Sequence, residues 1–213
     1  MDGGGDHWMI GAGVTHAEIE DAAERLRGAE PLARVASGIA YRSVRNRGTV
    51  GGSLAHADPA GDWAPVLAAL DATVRVCGAG GEREIPAAGL MTAAFTTELR
   101  ENEVITAVRV PKLGASARFG YFKICRKVGE FPEASAAALL DPERRAARIF
   151  LGALDGPPRD LPELARALVG QGAAACSEAA ALAAVRAIGV LDVPELRMRA
   201  SVLLRALHQA LPQ

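Results

Sequence analysis

The chain has 213 residues, of which 50% are hydrophobic, so it can build a substantial core in one or two domains. Its 24 basic and 25 acidic side chains give a net charge of −1, which argues against a nucleic-acid or anionic-membrane partner. No stretch reaches the ~20 uninterrupted apolar residues of a membrane span, and the acidic, glycine-rich start differs from a secretory signal. The composition therefore predicts a soluble, cytoplasmic protein.

The first half of the chain alternates short strand and helix signals. Thr15 and Glu18 form a capping box, which predicts the start of a helix, and we expect Gly28 to end it. Asp62 precedes a run with apolar residues on one helical face, and we expect its carboxylate to cap that helix. The other predicted elements are a strand over His7–Ile10, a helix from Pro31 to about Gly38, a hairpin of Thr73–Cys77 with Arg83–Ile85, and a strand over Glu103–Val110.

The second half of the chain begins after a small, polar stretch at residues 112–116. We interpret this stretch as the boundary between a domain at residues 1–113 and a domain at residues 114–213. Strand signals and an Asp-Pro turn predict three strands over Phe119–Arg126, Ala134–Leu140 and Ala147–Leu154, with the last two antiparallel. Three helices are expected to close the chain, with start signals at Asp160, Ser177 and Asp192.

The cysteines give no sign of a metal site. Cys77, Cys125 and Cys176 are far apart and form no CxxC pair, so zinc, iron–sulfur and disulfide frameworks are not predicted. Cys77 and Cys125 lie in apolar, strand-like runs and are expected to be buried thiols. No Ser-His-Asp, paired-carboxylate or metal-ligand pattern stands out, and we predict no catalytic residue. Any catalysis by this chain would depend on a cofactor.

The segment with the most chemical information contains two adjacent glycines, Gly51 and Gly52, flanked by the hydroxyls of Thr49 and Ser53. Glycines let a ligand approach the backbone, and successive free N–H groups can form a concavity that binds anions. Such a segment can therefore cradle a phosphate or a polyol. The alternative is a tight strand-to-helix turn with capping hydroxyls, and the short motif taken alone favours this turn.

The longer sequence around the glycines changes that balance. The run from Val44 to Asp62, VRNRGTVGGSLAHADPAGD, closely resembles the second flavin-contacting motif of the FAD-binding medium subunit of molybdenum hydroxylases. This family includes carbon monoxide dehydrogenase and xanthine dehydrogenase. Further similar segments follow in the same order as in the family, at residues 10–18, 95–100 and 103–111. The resemblance extends from about His7 to the C-terminus.

The resemblance implies an α+β fold in two parts. Residues 1–113 would form the second FAD-binding subdomain, with a mixed or antiparallel sheet and flanking helices. Residues 114–213 would form the C-terminal module, a three-stranded antiparallel sheet with a three-helix bundle. Family members normally begin with a further small α/β subdomain that grips the FAD pyrophosphate. We expect this chain to start after it and to bind FAD more weakly as a result.

The resemblance also implies which residues contact FAD. The segment from Thr49 to Ser53 would bind pyrophosphate and ribityl oxygens, and Asp62 would contact hydroxyl groups of FAD. Lys123 would contact the flavin and Ile105 would pack against it, whereas alternation alone would place Lys123 in solvent and Ile105 in the core. The implied cofactor-binding residues are Thr49, Val50, Gly51, Gly52, Ser53, Asp62, Ile105 and Lys123.

The resemblance implies a function in electron transfer. Electrons would pass from a molybdenum cofactor through iron–sulfur clusters to FAD and then to an external acceptor. A molybdenum-cofactor subunit and a [2Fe-2S] subunit are the implied partners, because this chain has no motif for either group. Two alternatives stay open: a shortened, cofactor-free relative that acts as an interaction or assembly protein, and a fragment of a longer chain.

Overall fold

The computed structural model describes residues 1–190 and 192–211 and contains two four-stranded antiparallel sheets with helices around them. In the first half, the strands are β1 (His7–Gly11), β2 (Thr73–Gly78), β3 (Gly81–Pro86), β4 (Met91–Ala93), β5 (Thr96–Thr97) and β6 (Val104–Pro111). The helices are α1 (His16–Asp21), α2 (Glu30–Ser37), α3 (Arg42–Arg45), α4 (Val50–His56), α5 (Trp63–Ala69) and α6 (Ala87–Leu90).

The second half contains the four strands of the second large sheet and three longer helices. The strands are β7 (Arg118–Ile124), β8 (Ala134–Asp141), β9 (Ala146–Gly152) and β10 (Arg159–Asp160). The helices are α7 (Pro162–Gln171), α8 (Glu178–Ala187) and α9 (Val193–Ala210), with a 3-10 turn at Gly172–Ala175. Residues 191, 212 and 213 of the predicted 114–213 range lie outside the described part.

The first sheet has the strand order β1-β6-β2-β3, and all its pairs are antiparallel. The predicted β2–β3 hairpin is confirmed, with Gly81 at the left-handed φ of +98° that its turn requires. The Thr15–Glu18 capping box is also confirmed. The prediction for Gly28 is wrong, because α1 ends at Asp21 and Gly28 instead lies against Lys112 and Leu113.

The second sheet has the order β10-β9-β8-β7. Three strands were expected, and the structure adds a short fourth strand, β10. Asp160 lies in β10, so the prediction that it starts α7 as a cap is wrong. Ser177 and Asp192 cap α8 and α9 as predicted, because their side chains accept hydrogen bonds from Ala180 and Glu195 amides.

Helix α5 connects the two halves of the protein. It packs against β8 and β9 on one face of the second sheet, while α7 and α9 cover the other face. Alternation along the strands explains this arrangement, since Ala137 and Phe150 face the core of the first half whereas Ala136 and Ile149 face the helices of the second. The second sheet is thus buried between α5 and the C-terminal helices.

The described cysteines are free and half-buried, so the expectation that Cys77 and Cys125 are buried is wrong. Each lies at or just beyond the end of its strand, where burial is incomplete. None of the helices within the described ranges combines the length and apolar character needed to cross a bilayer.

A buried tryptophan–histidine pair ties α5 to α1. Trp63 is 1% exposed, and its indole N–H donates to Nδ1 of His16 at 3.2 Å. His16 is also buried, and burial lowers its pKa below the ordinary value of 6.5, an effect that the nearby Asp62 carboxylate opposes. The folded protein therefore favours the neutral imidazole that accepts the Trp63 bond.

We predict that the protein loses stability as the pH falls from 7.5 to 5.5. In this range the unfolded chain protonates His16 before the folded chain does, so the free energy of unfolding falls by less than about 1.4 kcal/mol per pH unit. Urea unfolding at several pH values measures this effect. The His16→Gln variant keeps a hydrogen-bond acceptor but cannot titrate, so its dependence on pH should be shallower. Equal slopes for both proteins would contradict the prediction.

Candidate functional site

The glycine segment is the first turn of helix α4 and not a loop of free amides. Thr49 caps the helix by accepting the Gly52 amide with Oγ1 at 3.0 Å. The other amides that were expected to form an anion cradle also have partners within the chain: Val50 N–H donates to the Val14 carbonyl, Gly51 to Ala12 and Ser53 to Thr49. The expectation of unpaired N–H groups at residues 50–53 is therefore wrong for this conformation.

The two glycines have different surroundings. A Cβ on Gly51 would overlap the Cβ of Ala12 and lie 2.8 Å from its carbonyl oxygen, so this glycine lets α4 pack against the chain after β1. Gly52 is exposed, and a Cβ there would meet only Oγ1 of Thr49, at 2.9 Å. Gly51 is thus explained by internal packing, whereas Gly52 belongs to the accessible surface of α4.

Asp62 bonds to the second half of the chain and not to its own helix. Its carboxylate makes no capping bond to α5, so the predicted cap is wrong. Oδ1 accepts instead from the Tyr121 hydroxyl at 2.6 Å and from the Lys123 ammonium at 2.6 Å, both on β7. Pairing of this kind offsets the cost of burying a carboxylate that is only 7% exposed.

Lys123 faces this carboxylate and retains limited access to solvent. Its side chain is 17% exposed, and Asp62 is its one hydrogen-bond partner among the described residues. An ammonium group has three donors, so two of them are available to another acceptor. The solvent-facing orientation suggested by strand alternation is therefore only partly correct.

Asp62 and Lys123 are in direct contact, and the other predicted site residues lie at α4 and on β6. Ser53 neighbours the turn before Asp62, since its hydroxyl is 3.8 Å from the position of a Cβ on Gly61. Ile105 is half-buried on β6, next to Thr106, whose carbonyl accepts the Ala12 amide beside α4. A cleft of about 10 Å³, barely enough for one water, is lined by Ser53 but by no other predicted site residue.

Two residues of this region were missed by sequence reasoning. Tyr121 lies two positions before Lys123, and the two-residue period of a strand puts both on one face, which is the signal that could have found it. Arg45 is 9% exposed and bonds to Glu20 and to the Ile39 and Ala40 carbonyls. It holds the chain that leads into α4, and its sequence alone gives no sign of these partners.

We predict that Gly51→Ala lowers the free energy of unfolding by about 1–3 kcal/mol, because the new methyl group would clash with the Ala12 backbone. Gly52→Ala is the matched control, and its effect should stay below about 1 kcal/mol, since it meets only the Thr49 hydroxyl and alanine favours the helix. Chemical unfolding of both variants without any ligand measures the difference. Equal losses of stability would show that the close contact with Ala12 is not what requires a glycine.

The comparisons with known proteins agree on one family. A family model described as "FAD binding domain in molybdopterin dehydrogenase" matches residues 2–113. The nicotine 6-hydroxylase medium subunit of Paenarthrobacter nicotinovorans is 35% identical over 185 residues, which cover 83% of this chain and 65% of that protein. The carbon monoxide dehydrogenase medium chain of Hydrogenophaga pseudoflava is 38% identical over 109 residues, covering 51% of this chain and 38% of that one.

Solved structures give the same result. A carbon monoxide dehydrogenase structure from Hydrogenophaga pseudoflava covers 98% of this chain and 76% of its own, with a TM-score of 0.87 and 30% identity. Quinoline 2-oxidoreductase from Pseudomonas putida 86 matches with a TM-score of 0.84 and 27% identity, covering 98% of this chain and 76% of that one. The mixed α/β fold with antiparallel sheets is thus that of the medium subunits.

The chain matches only part of the length of its curated relatives. The chain spans 65% of the nicotine 6-hydroxylase subunit and 50% of the alpha subunit of the 6-hydroxypseudooxynicotine dehydrogenase complex from the same organism. Because the family model covers more than half of the chain, the family itself is established. The chain belongs to the FAD-binding domains of the molybdopterin dehydrogenases, the family of the medium subunits of carbon monoxide dehydrogenase and related molybdenum hydroxylases.

Proposed function

We propose that this chain is the FAD-binding, electron-transfer part of a molybdenum hydroxylase-type oxidoreductase. The observation that carries the proposal is the family match over residues 2–113, which includes α4, Asp62 and Ile105. When bound, FAD supplies hydride and single-electron transfer, which the side chains of this protein cannot provide. The chain itself binds and orients the cofactor, and we assign it no catalytic residue.

The Asp62–Lys123 pair fits the polar part of FAD. Lys123 brings a positive charge with two available donors to a partly exposed position, suited to a flavin carbonyl or another oxygen acceptor. Asp62 uses Oδ1 for Tyr121 and Lys123, and Oδ2 has no partner among the described residues. This second oxygen can accept a bond from a sugar or ribityl hydroxyl.

The remaining proposed contacts come from α4 and β6. Because the amides of residues 50–53 bond within the chain, the proposed contribution of the Thr49–Ser53 segment lies in its hydroxyls and in the open surface over Gly52. No bond to the Ser53 hydroxyl is formed within the described part of the chain, so it is available to a ligand. Ile105 is half-buried against the core and presents an apolar surface on which an aromatic ring can pack.

The proposal extends to the rest of the assembly. The relatives are named as subunits or chains, and we infer partners of two kinds, a molybdenum-cofactor subunit and a [2Fe-2S] subunit, in a cytoplasmic enzyme. FAD would receive electrons from the iron–sulfur clusters and pass them to an external acceptor. We also propose a functional division at residues 113 and 114, where the segment between β6 and β7 joins the two sheets.

The proposed FAD contacts lie on accessible surface. Gly52 is exposed, and Ser53, Ile105 and Lys123 are half-buried, so FAD would lie on an open surface of this chain. An open surface buries less apolar area and leaves more of the ligand in water. We therefore expect this chain alone to bind FAD weakly.

We predict that the purified chain binds FAD and that Lys123→Gln weakens binding about tenfold or more, because it removes a charge-assisted hydrogen bond. Titration of the protein into FAD, followed by flavin absorbance and fluorescence, measures the dissociation constant. The control is Lys127→Gln, a change of an exposed lysine four residues further along the chain. Circular dichroism establishes that each variant is folded.

Two results would contradict the proposal in different ways. No flavin bound by the folded wild-type chain at millimolar FAD would favour the cofactor-free interaction protein. Equal affinities of the Lys123→Gln and Lys127→Gln variants, with clear binding by the wild type, would keep the flavoprotein and remove Lys123 from its site.

A further inference from the structure

The Tyr121 hydroxyl has a role that packing does not explain. Along β7, Phe119 and Tyr121 occupy the same face, and both pack against the core of the first half. Phe119 fills its position without a polar group. Tyr121 is half-buried, and its phenol donates a hydrogen bond to the Asp62 carboxylate, 2.6 Å away.

Tyr121 is held in place through both its backbone and its ring. Its backbone N–H donates to Oε1 of Gln209 on α9 at 3.0 Å, and its half-buried ring packs against the core of the first half. Lys123, the other donor to Asp62, has a flexible four-carbon stem and a compact ammonium that can bond in many geometries. The phenol is therefore the group that fixes where Oδ1 of Asp62 lies, and Lys123 adjusts to it.

The orientation of Asp62 matters because its two oxygens do different things. Oδ1 accepts both bonds from β7, while Oδ2 has no partner within the described residues and is not fully enclosed. Asp62 has helical backbone angles, φ −64° and ψ −35°, and makes no bond to its own helix. Without the phenol, the flexible Lys123 side chain would be the one described hydrogen-bond partner left to orient the carboxylate.

We propose that Tyr121 is a positioning residue, whose hydroxyl orients Asp62 so that Oδ2 and the Lys123 ammonium face the cofactor together. This inference rests on the proposed FAD-binding function and adds a residue that acts through Asp62 without touching FAD. Burial and the Asp62 carboxylate raise the pKa of Tyr121 well above its ordinary value of 10.0. The phenol thus remains a donor throughout the physiological pH range.

The test uses the two tyrosines of the chain. Tyr121→Phe removes only the hydroxyl, and Tyr41→Phe makes the same change on a side chain that is 57% exposed. The dissociation constant for FAD should rise about tenfold in Tyr121→Phe, typical for loss of one well-oriented hydrogen bond, and stay unchanged in Tyr41→Phe. An equal affinity of both variants, with clear binding by the wild type, would overturn the positioning role and leave the proposed function intact.

A double-mutant cycle separates positioning from a general structural effect. If Tyr121 acts through Asp62, Tyr121→Phe should have no further effect on FAD affinity once Asp62→Ala, which leaves the phenol no acceptor, is present. A tenfold loss in both backgrounds would overturn the inference. A wild-type chain that is folded but binds no FAD would overturn both the inference and the proposed function.

The hydrogen bond itself is measured without FAD. In Tyr41→Phe, the single remaining phenol is Tyr121, and its ultraviolet absorbance should show ionisation only well above pH 10. Adding Asp62→Asn should move that ionisation to lower pH, because the carboxylate no longer opposes the phenolate. An unchanged ionisation would contradict the contact on which the positioning role depends.

Discussion

The buried carboxylate of Asp62 is the constraint on which the arrangement of the two halves depends. A carboxylate that is 7% exposed is costly unless paired, and both of its partners come from β7 in the other half of the chain. Asp62 begins α5, the helix that packs against the second sheet, so the polar contact and the apolar packing hold the same two elements together. The Asp62–Lys123 pair, which we propose as a cofactor contact, lies at this junction.

The glycine segment combines a structural role with the ligand-binding role that we propose, and its sequence does not separate the two. Gly51 is needed because Ala12 leaves no room for a side chain, which is a property of the fold. Gly52 is exposed and Ser53 is half-buried on α4, and this is the surface on which we propose that the nucleotide lies. The glycine motif therefore identifies the family, but it does not identify which of its atoms contact the ligand.

The sequence predicted those parts of the fold that depend on neighbouring residues. The capping box at Thr15, the β2–β3 hairpin and the caps at Ser177 and Asp192 involve residues three or fewer positions apart or an alternating pattern, and all are confirmed. The errors at the candidate site involve distant partners. Asp62 makes no bond to its own helix and instead bonds to Tyr121 and Lys123, which lie 59 and 61 positions later in the chain. The amides of Val50 and Gly51 bond to the segment that follows β1. Local pattern cannot reveal such contacts, although the strand period could have indicated Tyr121 beside Lys123.

A crystal structure of the chain soaked with FAD tests the central claim most directly. The account predicts that a polar atom of FAD lies within hydrogen-bond distance of the Lys123 ammonium and of Oδ2 of Asp62, with the nucleotide extending across α4 over Gly52. FAD bound at another surface, with the Asp62–Lys123 pair in contact only with water, would contradict it.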